Sequence, residues 1–203
     1  MNTIGTSLRL TLFGSSHGHG IGCVLDGVPS GLEVSREDLQ REVDRRRPAI
    51  SIGTPRREED SVEVLAGIVD DITTGAPIVL FIANRDTDSS KYELFRAIPR
   101  PGHADLTARA KYGDAVDLRG GGQFSGRMTA PIVAAGAVAK TILEAIGVRV
   151  AAYTQRLGRI VDNEERNFKD IRMAVWENPV RSADAALALD MVNEIMEAKE
   201  EGD

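Results

Sequence analysis

The three histidines of the chain lie in two glycine-containing segments, and this placement gives the first indication of chemistry. His17 and His19 stand in GSSHGHG, residues 14–20, between two runs of β-favouring residues. Glycine lets a backbone approach a ligand closely, and histidine can give up a proton near neutral pH and recover it. The turn therefore favours a general acid, although a polar turn with two solvated histidines explains the same residues.

The same turn does not match two common kinds of binding site. A dinucleotide fingerprint places GxGxxG at the start of a helix, but Gly18, Gly20 and Gly22 run into the strand-like segment CVL. A metal site built on the two histidines and Cys23 would lack a further His or Cys nearby. We predict neither a Rossmann motif nor a metal site.

His103 belongs to a second turn, RPGHAD at residues 100–105. Pro101 and Gly102 force a turn there, and Asp105 follows closely enough to orient the imidazole. A surface loop explains such a segment by itself. The occurrence of histidines in two glycine-containing turns nevertheless favours a functional role for them.

A glycine-rich segment, RGGGQFSGR at residues 119–127, leads into a long apolar run. A loop of this kind at a helix N-terminus presents backbone N–H groups and a positive dipole end, which suit a phosphate. Its spacing resembles a Walker A loop, but Arg127 stands in place of the lysine and Met128 in place of the Mg²⁺-binding Ser or Thr. An NTPase is therefore not predicted, and a flexible turn before a core helix is the alternative.

A further candidate feature is a cluster of arginines, at Arg45, Arg46, Arg47, Arg56 and Arg57. Guanidinium groups bind phosphate and carboxylate through two parallel hydrogen bonds. A solvated helix end, neutralised in part by Glu58, Glu59 and Asp60, is the other interpretation. Lys and Arg total 25 against 31 Asp and Glu, so the chain is not a nucleic-acid binder held by bulk charge, and any anion site must be local.

Five segments have the composition of strands: residues 8–13, 23–25, 62–68, 77–83 and 148–153. The segment 77–83 is apolar enough to be buried on both faces. A helix is predicted from its cap Ser35 to Pro48, and a buried helix from 131 to 146 that ends at Gly147. Ser182 is predicted to cap a last helix with Leu187, Met191 and Ile195 on one face. Clustered strands separated by unequal helices favour an α+β fold.

Length and composition limit the number of domains and the classes of protein to which the chain can belong. The 203 residues fit one large domain or two small ones, and 42% hydrophobic residues suffice for a sizeable core. A single cysteine excludes an internal disulfide. The sequence has neither 18 consecutive apolar residues nor a secretory signal pattern, so a cytoplasmic location is expected.

Four segments, in this order and spacing, closely resemble the chorismate synthase family. They are GSSHGHGIGCVLDGVP at 14–29, DRRRP at 44–48, RPGHAD at 100–105 and GQFSGRMT at 122–129. TTGAP at 73–77 and AAGAVAK at 134–140 extend the resemblance over almost the whole chain.

The resemblance implies a lyase that converts 5-enolpyruvylshikimate 3-phosphate to chorismate and phosphate by 1,4-anti elimination, the last common step of the shikimate pathway for aromatic amino acids. It implies reduced FMN (FMNH2) as cofactor, with NADPH as a candidate flavin reductant. The implied fold is an α+β, β-α-β sandwich of antiparallel sheets flanked by helices. Residues 1–203 would form an incomplete, N-terminal part of that single domain. The full-length protein would be a homotetramer with a small-molecule substrate and no nucleic-acid or membrane partner.

The resemblance also implies roles for individual residues. His17 would protonate or stabilise the reduced flavin, and His103 would act as an acid near the flavin ring and the substrate. The other implied site residues are Arg46 on the substrate phosphate, Arg45 and Arg127 on the anions, and Gln123, Phe124 and Ser125 on FMN.

Several positions depart from the family pattern. Ser51-Ile52-Gly53 occupies the place of a further arginine after the RRRP run, and Gln123 and Phe124 replace a common Arg-Ser pair. Ser15 and Met128 each stand where a Glu is common. Relatives continue well beyond residue 203, to an Arg-x-Asp region whose Asp acts as base. The expectation is an N-terminal portion of the enzyme, and the alternative is a non-catalytic anion-binding or interaction fragment.

Overall fold

The computed structural model describes residues 2–47, 60–85, 92, 94–95 and 97–202. They fall into two compact units, one within residues 1–46 and 58–147 and the other within 47–57 and 148–203. The arginines at 56 and 57, the Ser51-Ile52-Gly53 departure and the predicted helix end at Pro48 lie outside the described residues. One domain over 1–203 stays a prediction.

An antiparallel sheet forms the centre of the first unit, with the strand order β1-β2-β3-β7-β4. Its strands are β1 (Thr3–Ile4), β2 (Arg9–Gly14), β3 (Gly20–Asp26), β4 (Val62–Ala66) and β7 (Ile78–Ala83). A separate hairpin joins β5 (Ile68–Val69) to β6 (Ile72–Thr73). These strands confirm the predictions for the first 83 residues, apart from the break that Gly67 introduces between β4 and β5.

Strand β7 is buried on one face only, so the prediction of burial on both faces is wrong. Ile78, Leu80 and Ile82 are buried in the core, whereas the alternate residues Val79 and Phe81 are partly exposed. The strand is apolar throughout, but among the described residues helix α3 (Thr129–Ala145) packs on the face that carries Ile78, Leu80 and Ile82.

Helix α1 (Arg36–Arg45) begins where the sequence predicts. The Ser35 hydroxyl accepts a hydrogen bond of 3.1 Å from the backbone N–H of Asp38, which satisfies one of the orphan donors of the first turn. Leu39 and Val43 are fully buried in the core. This packing fixes the C-terminal end of α1, where Arg45 and Arg46 lie.

Helix α3 (Thr129–Ala145) packs against β3 and β7 through a face of small residues. Ala130, Ala134 and Val138 are among its buried side chains. The Cys23 thiol of β3 donates to the Pro131 carbonyl at 3.4 Å, and burial raises the pKa of that thiol to about 12. The thiol is therefore neutral at physiological pH and packs as a small apolar group.

The stretch Arg119–Ala145 is long and apolar enough to cross a membrane by length and composition alone. Its first part is not regular helix, because Gly120, Gly121 and Gly122 have non-helical backbone angles. Its second part, α3, is the core helix of the sheet. A core helix of this kind meets the same criteria, so the stretch is weak evidence for a membrane span.

A helix that the sequence patterns did not reveal, α2 (Asp105–Tyr112), follows the His103 turn. Short 3-10 turns connect it to α3, at Gly113–Ala115, Arg119–Phe124 and Gly126–Met128. Only Asp105 and Ala108 of α2 are buried, so its apolar periodicity is weak.

The second unit contains the hairpin β8 (Arg156–Leu157) and β9 (Ile160–Val161), followed by α4 (Phe168–Ala174) and α5 (Ala185–Glu201). Met191 of α5 is fully buried with Leu187 and Ile195 partly buried, as predicted. The predicted cap at Ser182 is wrong by two residues. Asp184 caps α5 by accepting from the N–H groups of Ala186 and Leu187 at 2.8 and 3.0 Å.

The predicted strand at residues 148–153 does not form. Val148 and Val150 are exposed, and the segment has no strand partner among the described residues. An apolar run becomes a strand only where an edge with free N–H and C=O groups is available to it.

Replacing Leu39 by alanine should lower the free energy of unfolding of the chain by about 2–5 kcal/mol, because it leaves a cavity under α1. Chemical denaturation at pH 7 measures the change. Leu106→Ala, at a helical leucine that is 65% exposed, is the control and should cost less than about 0.5 kcal/mol. Equal losses in the two variants would contradict the assignment of Leu39 to the core.

Candidate functional site

The His17 turn and the glycine-rich loop are held together although they are about a hundred residues apart in sequence. The buried Ser16 donates its backbone N–H to the Gly122 carbonyl at 3.3 Å. Its hydroxyl lies 2.9 Å from the Gly120 carbonyl and 3.2 Å from that of Arg119. These contacts fix the turn between β2 and β3 against the loop that precedes α3.

Gly120 is required at its position by both backbone and space. Its φ is +58°, and a Cβ there would lie 2.1 Å from Cδ2 of His17 and 2.4 Å from Nε2. The His17 imidazole thus lies directly against the backbone of the glycine-rich loop at Gly120. On its other side, the ring of Tyr92 meets it edge-on at 4.8 Å between centroids.

The guanidinium of Arg127 is buried beside this turn. Its Nε donates to Oδ1 of Asn84 at 2.6 Å, and its Nη1 donates to Oδ1 of Asp60 at 2.7 Å. Its Nη2 lies 3.4 Å from the Ala83 carbonyl. Only 7% of the side chain is exposed, so its charge is held within the protein by these acceptors.

Arg46 extends the same cluster from the end of α1. Its Nε donates to the Thr129 hydroxyl at 2.9 Å and its Nη2 to the Gly126 carbonyl at 3.0 Å. Its Nη1 lies 3.5 Å from the second carboxylate oxygen of Asp60. Asp60 therefore bridges two guanidinium groups, and the three side chains together carry one net positive charge.

Arg45, next in sequence, has a different environment. Its guanidinium pairs with Glu42, which also accepts from Lys140 at 2.6 Å. This pairing places Arg45 at the contact between α1 and α3, whereas Arg46 faces Asp60. The structure therefore separates two arginines that sequence proximity grouped together.

The His103 segment is organised by a buried ion pair. Arg100 donates from Nε and Nη2 to the two oxygens of Asp105 at 2.8 and 2.9 Å, and its backbone N–H donates at 3.1 Å. These bonds hold the pKa of the Asp105 carboxyl below its usual value, although burial opposes the shift. Asp105 thus orients Arg100, while His103 lies exposed on the turn between them.

Tyr92 links the two histidine segments. The guanidinium carbon of Arg100 lies 5.5 Å from the Tyr92 ring centroid, and the same ring contacts His17. The same guanidinium carbon also lies over the ring of Phe95, 4.8 Å from its centroid.

The three residues expected on FMN fall into two environments. Ser125 accepts a hydrogen bond from the backbone N–H of Arg127 at 3.3 Å. Gln123 and Phe124 instead line a cleft of about 390 Å³. Its other lining residues are Asn2, Ile4, Leu12, Thr107, Ala108, Lys111 and Tyr112.

Sequence reasoning did not assign the site roles of Asp60 and Asn84. Asp60 lies two residues before β4, and Asn84 follows β7 directly. The antiparallel register pairs Val62 with Ile82, and continuing it by two residues places Asp60 opposite Asn84. The signal, two polar residues at strand ends, becomes visible only once the pairing of β4 with β7 is known.

Replacing Asp105 by asparagine tests the ion pair through its pH dependence. The lowered pKa means that the carboxylate stabilises the fold above the unfolded-state value, about 4, and that this contribution is lost as pH falls through the folded-state pKa. The difference in unfolding free energy between the parent chain and Asp105→Asn should therefore shrink from pH 7 to pH 3. Asp114→Asn, at a carboxylate 96% exposed, is the control and should show a small difference at both values. A constant difference for Asp105→Asn would contradict the assignment.

Comparison with known proteins extends the resemblance of the motifs to the whole chain. The family described as chorismate synthase matches residues 8–203. A chorismate synthase of Methanopyrus kandleri is 47% identical over 211 aligned residues, which cover 100% of this chain and 54% of that protein. A chorismate synthase of Dehalococcoides mccartyi is also 47% identical, with 100% and 56% covered. The chain thus spans about half the length of the curated relatives it matches.

The fold gives the same result. A crystal structure of chorismate synthase superposes with a TM-score of 0.74 at 27% sequence identity, over 97% of this chain and 54% of that one. The predicted α+β class with antiparallel sheets flanked by helices is confirmed. Since sequence and fold match over nearly all of its residues, the chain belongs to the chorismate synthase family.

Proposed function

We propose that the chain carries the N-terminal part of a chorismate synthase active site, which eliminates phosphate from 5-enolpyruvylshikimate 3-phosphate to give chorismate. The pair of guanidinium groups bridged by Asp60 carries the proposal. This substrate has a phosphate and two carboxylates, so its site must supply fixed cations. Arg46 suits the phosphate, because its three hydrogen bonds to the protein use three of its five N–H donors.

The reaction sets different tasks for these side chains. The elimination breaks the C–O bond to phosphate, which leaves with the electron pair, and a C–H bond, whose electrons form the new C=C bond. The proton would be taken by the base that the family pattern places in the Arg-x-Asp region, outside the part of the relatives that this chain spans. Arg46 would hold the leaving phosphate, while Arg127, joined to it through Asp60, adds positive charge beside it. Arg45, paired with Glu42, would act on the anions only from a greater distance. His103, exposed on its turn, would act as an acid near the substrate.

The chain's residues fit reduced FMN. A Cβ at the exposed Gly126 would meet nothing within 4 Å, so the loop backbone is open to a ligand at this position. Gln123, Phe124 and Ser125 would hold the flavin, and His17, on the β2–β3 turn that packs against this loop, would stabilise its reduced form. When bound, reduced FMN supplies electron density to the elimination without net redox change. The described residues suggest no place for NADPH, so the proposal concerns the flavin alone.

The wider assignments follow from the same family membership. We propose a role in the shikimate pathway of aromatic amino acid biosynthesis, a cytoplasmic location and a homotetrameric full-length protein. Among the described residues, no group of three or more His, Cys, Asp or Glu side chains is placed to hold a metal. The alternative, a truncated, non-catalytic anion-binding or interaction fragment, is not favoured by matches that cover the whole chain.

Anaerobic turnover tests the proposal. The 203-residue chain is supplied with 5-enolpyruvylshikimate 3-phosphate and chemically reduced FMN, and chorismate absorbance and released phosphate are followed together. Equal yields of the two products are expected from the chain, or from the chain extended to the length of its relatives. Product from the chain itself would make it a sufficient catalytic unit. Failure of both forms, with a relative active in the same assay, would contradict the proposal.

Two substitutions in the active form separate binding from chemistry. Arg46→Ala should raise KM about 10- to 100-fold with a smaller change in kcat, because it removes a charge-assisted contact to the phosphate. His103→Ala should lower kcat about 100-fold with little change in KM. Arg41→Ala, at an exposed arginine of the same helix, is the matched control and should change neither. Equal effects of the first two variants on both constants would contradict these roles.

A further inference from the structure

Asn84 lies between the two parts of the candidate site. Its side-chain amide nitrogen donates to the carbonyls of Ser15 and Gly18, each at 2.9 Å. These two carbonyls bracket His17. Its backbone N–H donates to the carbonyl of His19 at 3.2 Å, so one residue holds the turn at three points.

The other end of the same amide holds Arg127. Oδ1 of Asn84 accepts from Nε of Arg127 at 2.6 Å. Arg127 in turn donates to Asp60, whose second oxygen lies near Arg46. A continuous series of hydrogen bonds therefore runs from the His17 turn through Asn84, Arg127 and Asp60 to Arg46.

Only an amide can make this connection. Asparagine offers two N–H donors and an acceptor on one short, planar group. A carboxylate of the same shape would keep the bond to Arg127 but would face two carbonyl oxygens without a proton to donate. A hydroxyl is too short to reach partners on both sides.

We propose that Asn84 is a positioning residue, which holds the imidazole of His17 at a fixed place relative to the guanidinium groups of Arg127 and Arg46. The role rests on the proposed function of these three side chains. A proton donor and a phosphate ligand act on one substrate only if their spacing is kept, and a misplacement of about 1 Å can cost about 100-fold in rate.

The test compares Asn84→Asp and Asn84→Ser with a matched asparagine elsewhere. Asn178 has a similar arrangement in the second unit: its amide nitrogen donates to the carbonyls of Ala174 and Ser182 at 3.1 and 2.8 Å, and its oxygen accepts from the Ser182 N–H at 2.9 Å. Asn178→Asp therefore controls for the loss of stability that follows when a hydrogen-bonded side-chain amide is removed. Each variant is assessed by thermal melting, by the NMR shifts of the His17 imidazole in the 203-residue chain, and by kcat and KM in the active form.

Both Asn84 variants should shift the His17 ring resonances and lower kcat about 10- to 100-fold, while KM changes less than about threefold because Arg46 keeps its own anchors. Asn178→Asp should lower the melting temperature and leave the His17 shifts and kcat unchanged. If Asn84→Asp does not fold, Asn84→Ser, which adds no charge, decides the outcome alone. Lower melting temperature with unchanged His17 shifts and kcat in the folded Asn84 variants would overturn the proposal.

The NMR measurement of the His17 ring tests the role of Asn84 whether or not the proposed function is correct. A parent chain and extended chain without turnover would contradict the proposed function. The His17 shifts would still show whether Asn84 fixes the turn, and unchanged shifts would overturn the inference by themselves.

Discussion

The ion pair between Asp60 and Arg127 is the interaction on which the candidate site depends. Both side chains are almost completely buried, at 5% and 7% exposed, and lie 2.7 Å apart. A buried charge is tolerated only when it is paired and hydrogen-bonded, so each partner requires the other. The second oxygen of Asp60 is directed to Arg46, which gives that arginine a fixed position at the end of α1. The same constraint therefore buries one cation and leaves another partly accessible.

The antiparallel sheet makes this pairing possible. Strands β4 and β7 are antiparallel neighbours, so Asp60, two residues before β4, and Asn84, directly after β7, meet at the same end of the sheet. The β2–β3 turn lies at this end of the sheet as well, because β3 is the other neighbour of β7 and its first residue, Gly20, pairs with Ala83. Three polar segments are thus gathered by strand pairing, and the glycine loop covers them through Ser16 and Gly120. Rigid strands carrying a site on their connecting turns are a common way to combine precision with variable chemistry.

One loop contributes both to the cleft and to the arginine cluster. Gln123 and Phe124 line the cleft, while Gly126 and Arg127 bond to Arg46 and Asp60. Gln123 and Phe124 are two of the positions expected to depart from the family pattern, and they line the cleft. The Asp60 network is built from other side chains, those of Arg46, Asn84 and Arg127.

Much of the first unit was determined by local sequence. β-favouring residues predict β2, β3 and β7, Ser35 predicts the start of α1, and the run of apolar residues at 131–146 predicts α3. The histidine turns and the glycine loop were also recognisable, since these signals depend on neighbours in the chain. The predicted strand at 148–153, the helix α2 and the burial of β7 were decided by which surfaces the tertiary structure covers. The different roles of Arg45 and Arg46, and the bridges made by Asp60 and Asn84, depended on strand register and helix packing, because these determine which residues far apart in sequence come within hydrogen-bonding distance.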